Sequence, residues 1–236
     1  MKKVYLLSVG GTGVHALAAY LRLAQLDRVS GGAERNVPVP DRILVVDSHG
    51  VPGLGHVGDV PVADRVRVAC DRLGWSQKLN WVAPLPVDVS KRQLGEVLVP
   101  PGGGVQGDRA RALAQAVLPK RVGTGQDPLK IPVGLGMGCY RFAAAVGVAA
   151  AFQAQGGAAP VRVELEALVD SVTKACADGH QVAVGVLFGL SGGTGSGAGP
   201  ELVRRVCGLV AKVRRERPEL GNEGIKVVLM GSHDVF

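Results

Sequence analysis

Gly189-Leu190-Ser191-Gly192-Gly193-Thr194-Gly195-Ser196-Gly197-Ala198-Gly199 is the stretch on which the fold turns. Upstream, Val182 to Phe188 is a continuous apolar run that reads as a buried strand. Downstream, Pro200-Glu201-Leu202-Val203-Arg204-Arg205-Val206 reads as the start of a helix. A strand feeding a glycine-rich turn feeding a helix is how a backbone is shaped to hold phosphate. Glycine lets the chain approach an anion closely and adopt positive φ. The helix start adds free N–H groups and the positive end of its dipole.

A second turn of this kind opens the chain. Val4-Tyr5-Leu6-Leu7-Ser8-Val9 is strand-like, Gly10-Gly11-Thr12-Gly13 is the turn, and Val14 to Leu26 has a helical pattern. Gly10, Gly11, Thr12 and Gly13 would offer backbone N–H groups to phosphates. Gly192, Gly193, Gly195 and Gly197 would do the same from the later turn, with hydroxyls from Thr194 and Ser196. Arg42 to Asp47 is a further strand, continuously apolar from Ile43 to Val46 as buried parallel strands are. Asp47 and Ser48 therefore fall at a strand's carboxyl end, the edge where open α/β sheets bind ligands. Asp47 suits either a ribose contact or water-mediated metal placement.

The two turns together resemble the nucleotide-binding half of the tubulin/FtsZ family, whose signature loop is Gly-Gly-Gly-Thr-Gly-Ser/Thr-Gly. Here it stands as Ser191-Gly192-Gly193-Thr194-Gly195-Ser196-Gly197, with Ser191 in place of the first glycine. The cluster Gly134-Leu135-Gly136-Met137-Gly138-Cys139, ahead of an alanine-rich helical stretch to Phe152, resembles the family's third loop. That likeness implies Gly136, Gly138 and Arg141 near a terminal phosphate. It implies a Rossmann-like, three-layer α/β domain with a mostly parallel sheet, of tubulin/FtsZ GTPase-domain type. It also implies GTP or GDP with Mg2+, head-to-tail self-association into dimers or filaments, and GTP hydrolysis at subunit interfaces. Residues 1–236 are expected to form one nucleotide-binding domain, elaborated around residues 50–130. The family's second domain, which carries the acids that activate water, is expected to be absent from it. Turnover by this chain alone is then weak, and no catalytic residue is assigned.

A different class competes. Gly11-Thr12-Gly13-Val14-His15-Ala16 fits the Gly-x-Gly-x-x-Ala turn of NAD(P)-dependent oxidoreductases, and Asp47 ends the second strand as a ribose-binding acid would. Asp47 lies farther from Gly11 than the ~20 positions usual for that motif, and the 189–199 turn is left unexplained. A scaffold that keeps the fold without turnover is a third reading. Gly189-Leu190-Ser191-Gly192-Gly193 also matches a Gly-x-Ser-x-Gly nucleophile elbow. Only His233 follows it, and Asp234 comes after that histidine, the wrong order for such a triad. No Gly-x-x-x-x-Gly-Lys-Ser/Thr run occurs, which disfavours a P-loop NTPase.

Bulk properties set the remaining bounds. With 236 residues, 47% of them hydrophobic, the chain can bury a full α/β core, and its apolar runs are too short to span a bilayer. Met1-Lys2-Lys3 leads into a strand and glycines rather than a secretory cleavage site, so a cytoplasmic location is expected. Cys70, Cys139, Cys176 and Cys207 lack metal-ligand spacing and read as small core residues in a reducing compartment. The histidines are isolated, and no metal site is assigned. Net charge is +7, but the arginines are dispersed and aromatics make up 4%, too few for base-stacking platforms. Nucleic acid is therefore not expected as a partner. The one dense basic cluster, Lys212 to Arg217, suits a helix C-terminus.

Overall fold

Strand β1, Lys2–Val9, passes from exposed at Lys2 to fully buried by Leu7 and Val9. It does so because it runs through the middle of the sheet. In the computed structural model the described residues are 2–30, 37–47, 60–83, 92–98, 127–130, 160–190, 193–216 and 225–232, with positions 108, 112, 145, 148, 152 and 218. Helix α1 spans Gly10–Val29, β2 Arg42–Val46, α2 Val60–Leu73 and β3 Leu79–Val82. A short α3 covers Leu94–Leu98 and α4 covers Pro160–Ala177. Strand β4 is Gln181–Gly189, α5 is Gly193–Glu216 and β5 is Ile225–Ser232.

The five strands form one all-parallel sheet in the order β3-β2-β1-β4-β5. Alternation along each strand sends side chains to both faces, and each face has its own helices. Tyr5, Leu7, Val9, Leu44, Val46, Val184 and Val186 pack with α4 (Leu165, Leu168, Val172) and α5 (Leu202, Val206, Val210). Leu6, Ile43, Val45 and Leu187 pack with α1 (Val14, Leu17, Leu21) and α2 (Val66, Cys70, Leu73). The architecture is a three-layer, Rossmann-like α/β fold.

Leu165, Leu168, Val169 and Val172 recur at helical spacing in the sequence, as do Val66, Ala69, Cys70 and Leu73, and both runs lie in helices, α4 and α2. Of the alanine-rich stretch, Ala145, Val148 and Phe152 are helical, and Val148 is buried in the α4/α5 core. Ser48, the glycines at 102–104 and 134–138, and Arg141 lie outside the described residues, as do Ser191 and Gly192. The sequence from Asp108 to Leu118 has a helical pattern, and its two described residues, Asp108 and Ala112, are helical.

Polar groups tie the amino-terminal edge of the sheet. Glu164 on α4 accepts from Arg42 Nη2 at 2.6 Å and from Asn80 Nδ2 at 2.7 Å. Arg42 Nη1 also donates to the Ala167 carbonyl at 3.2 Å, and Tyr5 Oη to the Ser171 carbonyl at 3.0 Å. Lys3 pairs with Asp41 at 2.7 Å. This clamp lies at the end of the strands opposite the glycine turns.

Two expectations are corrected. Cys70 and Cys176 are buried, but Cys207 is exposed on α5, so it is not a core residue. Residues 79–82, not read as a strand, form the edge strand β3, paired in parallel with β2. The basic cluster does fall at a helix end: Arg214 and Arg215 occupy the last turn of α5, and Arg214 Nη2 donates to the Ile225 carbonyl at 2.9 Å.

Candidate functional site

Strand order reverses direction between β1 and β4. Ligands of doubly wound sheets bind outside the carboxyl ends of the strands at that point. Val9 is in register with Phe188, so both glycine turns leave the sheet at one rim, side by side. The order Tyr5↔Arg42 to Val9↔Val46 brings Asp47 to the same rim, one residue past β2. Asp47 is 1% exposed, and its backbone N–H donates to the Val82 carbonyl at 3.1 Å.

Neither turn is a free loop. Helix α1 begins at Gly10 with no intervening residue, and its cap residue, Val9, is extended and makes no side-chain capping bond. Helix α5 begins at Gly193 and runs through Thr194, Gly195, Ser196 and Gly197. The expected starts near Val14 and Pro200 are too late. First-turn positions lack intrahelical N–H partners anyway, so glycine is less costly there than its low interior propensity suggests. Pro200 sits inside α5 rather than at its first position.

Close approach explains why these positions are glycine. Gly10 has φ +70°, and a Cβ on it would lie 2.5 Å from the Gly195 backbone nitrogen. A Cβ on Gly189 would lie 2.4 Å from Thr12 Oγ1. A Cβ on Gly13 would lie 2.5 Å from the Leu187 carbonyl oxygen, and one on Gly199 would strike the Phe188 ring at 2.8 Å. The first turns of α1 and α5 therefore touch each other and the strand ends. Gly13, Gly195 and Gly199 serve this packing. Gly11 is exposed, and among the described residues nothing lies within 4 Å of its would-be Cβ. Thr12 and Ser196 are partly exposed, whereas Gly10, Gly13, Thr194, Gly195 and Gly197 are buried.

Electrostatics favour an anion at this rim. Neither α1 nor α5 has an acidic residue in its first turn, so the two positive helix ends stand together without a compensating carboxylate from their own sequence. Two partial charges of about +0.5 each, a few ångströms apart, suit a multiply charged ligand. No family model, curated protein or solved structure matches the chain. The reading of the site rests on its geometry.

Ser8 is a residue that the sequence reading does not single out. Its hydroxyl is fully buried under the first turn of α1, 3.1 Å from where a Gly13 Cβ would stand, and it has no hydrogen-bond partner among the described residues. A lone hydroxyl residue at the carboxyl end of an apolar strand, just before a glycine turn, is the signal that could have found it.

Among the described residues no group of three His, Cys, Asp or Glu side chains is arranged to hold a metal ion. No helix among them is long and apolar enough to cross a membrane.

Proposed function

We propose that this chain is a guanine-nucleotide-binding domain of tubulin/FtsZ-like type, acting in the cytoplasm. One observation carries the reading: two glycine-rich helix starts, from distant parts of the sequence, touch at the switch point of a parallel sheet with no acid in either first turn. A single phosphate would use one helix end, and a nucleoside di- or triphosphate is the ligand that uses two. Gly11 and Thr12 would supply amides from α1, and Gly193 to Ser196 from α5. Asp47 would face the ribose or an outer-sphere water. Mg2+ would arrive with the phosphates and neutralise their charge. Ser191 and Gly192 complete the signature in sequence, and Gly136, Gly138 and Arg141 would reach the terminal phosphate if the family's third-loop role holds. Self-association head to tail, with hydrolysis at subunit interfaces, belongs to the same proposal.

A dinucleotide site is the second reading. It is favoured by buried Asp47 at the end of β2, whereas Gly13, the glycine such a turn uses for pyrophosphate approach, packs on the Leu187 carbonyl instead. It gives α5 no task. Parallel titrations with a fluorescent GTP analogue and with NADH separate the two. The expected result is GTP binding in the micromolar range with NADH much weaker. No GTP affinity at tens of micromolar would overturn the proposal, and tight NADH binding would install the second reading.

A further inference from the structure

We propose that Thr12 is a positioning residue that locks the two helix starts into one cradle and so sets selectivity for a nucleoside polyphosphate over a monophosphate; this rests on the nucleotide-binding reading above. Gly189, the last residue of β4, leaves a notch where a side chain would be. The Thr12 side chain fills it: a Cβ on Gly189 would lie 2.4 Å from Thr12 Oγ1, 2.5 Å from its Cβ and 2.9 Å from its Cγ2. Thr12 belongs to the first turn of α1, whereas Gly189 leads into the signature turn. The second half of the lock is the Gly10 Cα against the Gly195 backbone. One contact reaches from α1 to the end of β4, and the other seats α5 on the start of α1. Two such contacts fix both the spacing and the angle between the helix ends. Threonine suits this task because branching at Cβ restricts χ1, so a seated side chain does not swing out.

The lock predicts a specific division of effects. A monophosphate engages one helix end and is indifferent to their spacing. A triphosphate spans both and gains from their being held in place before it binds. Shape, not the hydroxyl, makes the contact, so valine should replace threonine and glycine should not.

Two measurements test this. The first is affinity for GTP and for GMP in the wild type, Thr12→Val and Thr12→Gly. Thr12→Val should keep the GTP-over-GMP ratio within about threefold, while Thr12→Gly should lower it about tenfold by weakening GTP alone. If Thr12→Gly keeps the ratio, or Thr12→Val loses as much as Thr12→Gly, the lock is refuted. The second is a thermal double-mutant cycle without nucleotide. Gly189→Ala should lower Tm by about 4 °C or more with Thr12 present, and by much less in the Thr12→Gly background. Equal losses in both backgrounds would overturn the proposal. Should Gly189→Ala fail to fold alone, its recovery in the double variant supports the lock, and failure of both refutes it. A wild type that binds no GTP sinks the guanine-nucleotide reading, whereas the thermal cycle still decides whether Thr12 holds the turns together.

Discussion

Replacing Gly10 by alanine tests the contact on which the site depends. At φ +70° an added Cβ is strained wherever it points, and a left-handed backbone costs roughly 1–2 kcal/mol in a residue other than glycine. The new methyl would also lie 2.5 Å from the Gly195 nitrogen and 3.0 Å from its Cα, and both are backbone atoms that cannot rotate away. The start of α5 must therefore move, and overpacking of this kind costs about 1–3 kcal/mol. Gly10→Ala should lose about 2–5 kcal/mol in urea unfolding, a large part of the 5–15 kcal/mol typical of a domain. Gly11→Ala is the control. Among the described residues it meets nothing within 4 Å, and it has no positive φ, so it should be neutral or slightly stabilising in a helical turn. If both unfold alike, or if Gly10→Ala costs under about 1 kcal/mol, then α1 and α5 do not meet at these atoms, and the convergence of the two turns is wrong.

Three further predictions concern other parts of the molecule. Burial, helped by Asp71, pushes the Cys70 thiol up to about 11, and burial also raises that of Cys176. Exposed Cys207 should therefore alkylate first among these three with iodoacetamide near pH 8, and peptide mass mapping would show it. Glu201 is held below its ordinary carboxylate value chiefly by a hydrogen bond from Arg204, with Arg205 adding to it against the opposing effect of burial. The stabilisation is thus present above the ordinary carboxylate value and is lost as pH falls through the folded one. Glu201→Gln should be slightly less stable than the wild type at neutral pH, and the gap should shrink as pH falls below the ordinary carboxylate value in thermal melts. Glu164→Ala removes the acceptor shared by Arg42 and Asn80. A loss of about 1–3 kcal/mol with unchanged nucleotide affinity is expected, since the clamp lies at the far end of the strands.

Much of the fold is readable because buried parallel strands are written as uninterrupted apolar runs. Residues 43–46 and 182–188 declare themselves this way; residues 225–230 also read as a strand, although Lys226 interrupts them and Val228, Leu229 and Met230 are exposed on the edge strand β5; and Leu165, Leu168, Val169 and Val172 declare their helix by spacing. Strand β3 escapes such a reading for a physical reason. Leu79-Asn80-Trp81-Val82 is four residues long, lies at the sheet edge and is only half-buried, so its composition is not constrained as a central strand's is. The helix starts are misplaced by propensity because it treats Gly10 to Gly13 and Gly193 to Gly199 as loop. Tertiary contact wins there, since only residues without a side chain let α1 and α5 meet the strand ends. Cys207 reads as a core residue because cysteine usually is one, and only the packing of α5 reveals which of its faces is covered. That Thr12 and Gly189 are partners cannot be read from the sequence. The contact depends on β1 and β4 being neighbours, which is a fact of strand order.

Placing β4 beside β1 also governs when the site can come into existence. The opening strand finds one neighbour soon after it, at residues 42–46, but its other neighbour comes only at 181–189. Closing so long a loop is entropically slow. During synthesis the first helix start waits, uncovered on one side, until residues 181–189 have emerged. A ribosome-bound chain arrested before residue 181 would thus lack the second helix start altogether, and any ligand that needs both could act only once the start of α5 has emerged.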